Sequence, residues 1–335
     1  MKLYKYRSAN NLERDLNTFG QNNFYASAVN ELNDNKELRF NHDKIDDVLD
    51  VLRKAYHGST ICDSIENEKK SALDLFNTVN HCGVFSLSDS CTLGNMWALY
   101  ASNRSGYCLE FDSKLLMQIV SDPINEQRYL FKVNYSREIP NIDISDISKK
   151  DQILVKMLAT KHENWDKEQE YRIVTDKPGP QPFIPSALTG IVFGTATDEE
   201  LKKQVVDKFE GRNLDIYRVV NDENSYDYHL SHIGRLQKHL LLNSGDYEYW
   251  NTPAPTIDNF YVKSCNVLST RQDKEIFIRK FKHDVAERGC NIFLMDSDFN
   301  FDSARTYADS DFEYIDKHVE AEMWIGGDDV FFGKE

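Results

Sequence analysis

A chain of 335 residues with 40% hydrophobic and 12% aromatic side chains can bury two cores, and its 28% charged residues give it a wettable surface. The net charge of −15 argues against a bulk-DNA binder, and no apolar run approaches the roughly 20 residues that a membrane span needs. The opening residues lack the apolar core of a secretion signal, so the cytoplasm is the expected compartment and no membrane partner is expected.

In chain order, the alternating, aromatic stretch from Leu3 to Ser8 predicts a first strand that ends near Arg7, followed by a helix capped by Asn10. Residues 23–27 form a second short strand, and residues 41–80 carry helical apolar spacing broken at Gly58. A strand at 83–88 sets Ser86 and Ser88 on one face. An apolar helix starts at Met96, and strands follow at 106–111 and 132–135. From Gln152 a helix is expected to run towards Trp165 and then straight into a strand, Glu168 to Val174. Period two puts Glu168, Glu170 and Arg172 on one face of that strand. A strand at 188–194, a helix at 198–209 and a strand at 214–220 complete the first part.

Polar residues 221–225 then read as a linker, which divides the chain into a larger first domain, 1–220, the candidate for any catalytic role, and an accessory or partner-recognition domain, 221–335. The second part is expected to hold a helix at 232–242, an aromatic loop around Tyr247, Tyr249 and Trp250, a strand at 260–267, a helix at 273–288 and a strand at 291–295. The fold class is therefore α+β: a bent or split, mainly antiparallel sheet with flanking helices, plus a smaller α/β unit. Residues 221–335 hold 22 acidic and 12 basic side chains, which suits a basic protein partner. The six cysteines show no C-x-x-C spacing, and His229 and His232 lack a carboxylate or thiol at matching spacing, so no metal site is expected from either set.

Two carboxylates close together on a strand repel, so a fold keeps them in water or around a ligand whose hydroxyls and positive charge fill the gap. Each residue also has a plainer reading. Arg7 can bridge an acid across strands, Ser86 and Ser88 can be surface hydroxyls, and Trp97 and Tyr100 can be core.

The order Arg7, then Ser86-x-Ser88, then Glu168-x-Glu170 resembles the Arg-Ser-Glu class of NAD-dependent ADP-ribosyltransferases. The resemblance implies NAD as cosubstrate, with Arg7 on its pyrophosphate, Ser86 orienting the ribose, Ser88 and Tyr100 lining the cofactor pocket, Glu170 as the catalytic acid group and Glu168 as its substrate-side partner. It also implies a toxin or phage-defence effector acting on a protein or RNA acceptor, or a glycohydrolase passing ADP-ribose to water. A second resemblance covers residues 1–220. The blocks 3–7, 24–34, 84–88, 96–100, 106–112 and 165–173 resemble a bacterial family known as domain of unknown function 2971, although Asn35 stands where that pattern has proline. Two alternatives stay open: a Mg²⁺ nuclease or phosphodiesterase using Glu168, Glu170 and Asp34, and a non-catalytic protein-binding module.

Overall fold

The computed structural model describes residues 1–32, 50, 51, 54, 79–119, 126–141, 155–252, 257–285, 290–307, 312–324 and 329–332. The expected helical region 41–80 and the Asn33-Asp34-Asn35 turn lie almost wholly outside these residues.

The chain opens with β1 (Lys2–Arg7), helix α1 (Leu12–Gly20) and β2 (Asn23–Ala28). Ser8, not Asn10, caps the 3-10 turn that leads into α1, because its hydroxyl accepts from the Asn10 N–H. Then come β3 (Gly83–Ser88), α2 (Gly94–Tyr100), β4 (Tyr107–Asp112) and the short α3 (Ser113–Leu116). Next are β5 (Arg128–Lys132), β6 (Asn134–Ser136), β7 (Thr160–His162) and β8 (Glu170–Thr175). The first sheet is completed by β9 (Gly179–Pro182), β10 (Leu188–Phe193), helix α4 (Glu199–Lys208), β11 (Leu214–Asn221) and β12 (Tyr228–Leu236).

This ten-stranded sheet is mixed but mainly antiparallel, and it is split. Strand β3 pairs with β8 along its whole length. On its other edge it meets β1 only at Tyr4↔Ser88 and β2 only at Ser27↔Val84 and Ala28↔Gly83. Strands β1 and β2 therefore diverge from opposite ends of β3. β1 stays in register with β4 from Lys2↔Asp112 to Arg7↔Tyr107. Gly106 permits that close approach, since a Cβ there would run into the Arg7 carbonyl oxygen and the Ala101 backbone.

Alternation along β1 fixes two cores. Leu3 faces the α1 side, where Phe19, Phe24, Phe85 and Phe111 pack with it, the rings of Phe24 and Phe85 stacking at 4.6 Å. Tyr4 and Tyr6 face the α2 side with Trp97, whose indole N–H donates to the Cys91 carbonyl at 2.8 Å. Each such buried ring contributes about 2–3 kcal/mol of hydrophobic stabilisation.

A second sheet follows, built from β13 (Tyr247–Thr252), β14 (Asp258–Ser264), β15 (Cys290–Met295), β16 (Val319–Met323) and β17 (Val330–Phe332), in that spatial order. Helix α5 (Arg271–Asp284), started by a Thr270/Asp273 capping box, makes the crossover between the parallel pair β14 and β15. The short helices α6 (Phe301–Tyr307) and α7 (Phe312–Lys317) come between β15 and β16.

Several expectations need correction. The expected helix at 232–242 does not form: residues 228–236 alternate as the edge strand β12 paired with β11, the two histidines are ladder partners of Val220 and Tyr217, and residues 237–242 are irregular. The linker residues 221–225 thus lie between two strands of the first sheet, and the second sheet begins at Tyr247, within the expected aromatic loop. Helical geometry after residue 155 ends at 158, where β7 pairs in parallel with β6. No helix among the described residues is long and apolar enough to cross a membrane.

Candidate functional site

Strands β1, β3 and β8 carry the arginine, the serines and Glu170, and they lie side by side. Alternation alone would separate their side chains. Lys5 and Arg7 project with Leu3 to the α1 side, whereas Ser88 is the register partner of both Tyr4 and Glu170 and so projects to the α2 side. The split in the sheet removes this barrier. A cleft of about 840 Å³ opens there, lined from one side by Asp15 and Arg14 of α1 and from the other by Met96 and Tyr100 of α2. Arg7, Ser86, Ser88, Tyr100, Glu168 and Glu170 all line it, as does Lys5.

The two carboxylates do not reach the cleft on one continuous strand, as the sequence suggests. Glu168 ends a 3-10 turn, Glu163–Glu168, Gln169 adopts the left-handed conformation (φ 48°), and the strand starts at Glu170. Two bonds from β3 and the residue after it hold the end of the turn. The Ser88 hydroxyl donates to the Glu168 carbonyl at 2.7 Å, and the Asp89 N–H donates to the Gln169 carbonyl at 3.1 Å. Ser88 is fully buried, so it positions the turn from beneath.

What holds the acids together is a lysine that sequence reasoning missed. Lys161 on β7 donates to Glu168 Oε2 at 2.7 Å and to Glu170 Oε2 at 3.0 Å, with all three side chains buried. Tyr100 donates to the other Glu168 oxygen at 2.5 Å. The fully buried Arg172 donates to Glu170 through Nε at 2.8 Å and to the Leu158 carbonyl at 3.1 Å. The Glu170 N–H donates to the Tyr135 hydroxyl at 2.8 Å. Burial by itself pushes the Glu170 carboxyl up, but the charges of Arg172 and Lys161, with hydrogen bonds from Arg172 and Ser86, outweigh it and hold it at about 2. Glu170 is therefore an ionised acceptor at neutral pH and no proton donor.

On the α1 side, Arg7 forks onto Asp15, with Nε 2.7 Å from Oδ2 and a short Nη2 contact to Oδ1, while Arg14 reaches the same carboxylate. Lys5 donates to the Ser86 carbonyl at 2.7 Å and lies over the Phe85 ring. Burial and the neighbouring Arg7 charge push its amine down to about 7 against the pull of Glu170 and Asp15. Nothing in the sequence around Lys5 distinguishes it from a surface lysine on an edge. Lys161 was equally hidden, because its segment reads as helix.

Among the described residues no three His, Cys, Asp or Glu side chains are grouped to hold a metal ion, and Asp34 lies outside them. The point midway between the acids, which a divalent cation would take, is occupied by Lys161.

No curated protein and no solved structure matches the chain. A family model does, described as protein of unknown function (DUF2971), over residues 96–173. Blocks 3–7, 24–34 and 84–88 lie outside that match. The matched stretch runs from α2 into β8, so it contains Tyr100, Lys161, Glu168, Glu170 and Arg172, and the whole carboxylate side of the cleft is written in the part of the chain that this family describes.

Proposed function

We propose that the cleft binds NAD and opens its nicotinamide–ribose bond, passing ADP-ribose to a macromolecular acceptor or to water. The observation that carries this reading is Glu170: a carboxylate kept ionised by Arg172 and Lys161, bonded by Ser86, on the wall of a cavity whose size falls in the roughly 300–1,000 Å³ range of cofactor sites. Breaking the glycosidic bond leaves positive charge on the ribose C1′ and sends nicotinamide away neutral with the bonding pair. A fixed negative charge and hydrogen-bond acceptor beside the ribose stabilises that state more than the ground state.

Glu170 takes this role as a carboxylate. Glu168, two residues away across the Gln169 kink and joined to Glu170 by Lys161, borders the space where an acceptor would enter. Ser86 orients the ribose side of the pocket, and Ser88 and Tyr100 act on the substrate through Glu168. Arg7 and Arg14, gathered by Asp15, supply the positive end of the cleft for the pyrophosphate. The metal-dependent alternative is disfavoured, because an ammonium already bridges the two acids.

The test is nicotinamide release from NAD by the purified chain, with and without a chelator, alongside calorimetric titration of NAD. Release that ignores the chelator is expected, and Glu170→Gln should slow it at least about a hundredfold. Circular dichroism at the assay temperature checks that the variant is folded. Undiminished release by a folded E170Q removes Glu170 from the role, and absence of both release and binding heat overturns the reading.

A further inference from the structure

The geometry points to a second binding site, independent of the NAD reading: an acid-and-aromatic row on the outer face of the second sheet that takes a lysine or arginine side chain of a basic polypeptide. One face of this sheet is spent on α5, against which Val262, Ile292, Leu294 and Ala321 pack. The opposite face carries one continuous row of ladder partners across all five strands: Trp250↔Tyr261, Tyr261↔Phe293, Phe293↔Glu322 and Glu322↔Phe331. Trp250 stacks on Tyr261 at 5.2 Å and Tyr261 on Phe293 at 5.3 Å. Trp324, two residues beyond Glu322 and so on the same face, closes edge-to-face on Phe293 at 5.7 Å.

The Trp250 end of this row is core, continuous with the cluster around Met295 and Phe299. The other end is not. Trp324 is 47% exposed and Phe331 53% exposed, and they flank Glu322, whose carboxylate has no hydrogen bond or ion pair to any described residue. Adjacent exposed apolar surface rimmed by polar groups is the kind of patch that marks an interaction site. Ring faces attract cations and the carboxylate supplies the counter-charge, so the match is an ammonium or guanidinium group. The surroundings select the source. With 22 acids against 12 bases in residues 221–335, the field repels phosphate and draws in a basic segment, which disfavours stacked nucleic-acid bases on these rings.

The experiment titrates the full chain into fluorescently labelled hexalysine, hexaarginine and hexaserine peptides and a single-stranded RNA oligonucleotide, read by anisotropy at two salt concentrations. The basic peptides are expected to bind and the serine peptide and RNA are not. Trp324→Ala and Glu322→Gln should each weaken basic-peptide binding about tenfold. Glu223→Gln removes the same charge from an exposed turn far along the chain and should change little. Equal losses in E223Q and E322Q, or none in W324A, mean attraction to the overall field and overturn the site. Preference for RNA, or a peptide-independent dimer that W324A abolishes, assigns the face to another occupant and also overturns it.

Discussion

Replacing Lys161 with methionine tests the electrostatic core of the cleft most directly. The substitution preserves the bulk of the side chain and removes a group that touches both acids, Glu168 at 2.7 Å and Glu170 at 3.0 Å. Breaking a buried ion pair by deleting one partner costs about 3–5 kcal/mol, because the surviving charge stays buried. Here the lower end is expected. Glu170 keeps Arg172, and Glu168 keeps the Tyr100 hydroxyl. A loss of about 3 kcal/mol corresponds to a fall in melting temperature of about 6–12 °C for a domain of this size. Most of the penalty belongs to the uncompensated carboxylate, so the double variant Lys161→Met, Glu168→Gln should recover part of it, the Gln carbonyl still accepting from Tyr100. Urea denaturation of the wild type, the two single variants and the double variant closes the cycle. If K161M loses under about 1 kcal/mol, or if E168Q adds its full cost on top of K161M, the lysine does not join the acids into one network.

Three further outcomes follow from the same geometry. Glu170 is depressed from 4.5 to about 2 on folding, so its stabilisation is complete above pH 4.5 and drains as pH falls towards 2; about 3 kcal/mol should be lost over that window in an acid titration of unfolding free energy, and E170Q should flatten it. Gly106→Ala drives a methyl into the Arg7 carbonyl and the Ala101 backbone, so it should destabilise by about 2 kcal/mol or more and, by moving the end of β1, weaken the proposed NAD binding measured by calorimetry. Gln169→Gly should be neutral or slightly stabilising while Gln169→Val costs about 1–2 kcal/mol in thermal unfolding, because only glycine accepts φ 48° without strain.

Most of the strands were legible, because alternation and aromatic content are local signals: 3–8, 23–27, 83–88, 106–111 and 188–194 all emerge within a residue or two of the observed bounds. The failures share a cause. Residues 232–236 fall in the expected helix at 232–242, while pairing with β11, a non-local contact, makes them strand. Residues 155–168 hold three short pieces of different geometry in place of one helix, and the partners on β6 and β3 make that arrangement favourable. The site followed the same rule. Its acids, serines and arginine were visible as short motifs, but the lysine that binds the acids together and the aspartate that gathers Arg7 and Arg14 carry no motif at all. Their significance lies in what the fold sets opposite them.

The split in the first sheet is what turns a list of motif residues into a site. In a closed sheet, the odd positions of β1 and the serine face of β3 would look in opposite directions, and a ligand on one side would never meet both Arg7 and Glu170. Because β3 pairs with β1 through one residue and with β2 through two, the hydrogen-bonding edge between them is left open, and backbone polar groups line the gap. Lys5 shows the consequence: its ammonium satisfies the Ser86 carbonyl that a neighbouring strand would have taken. Such an edge must be satisfied by side chains, water or a ligand. The opening that costs β1 and β3 their ladder is thus the feature that brings Arg7 and Glu170 to one cleft.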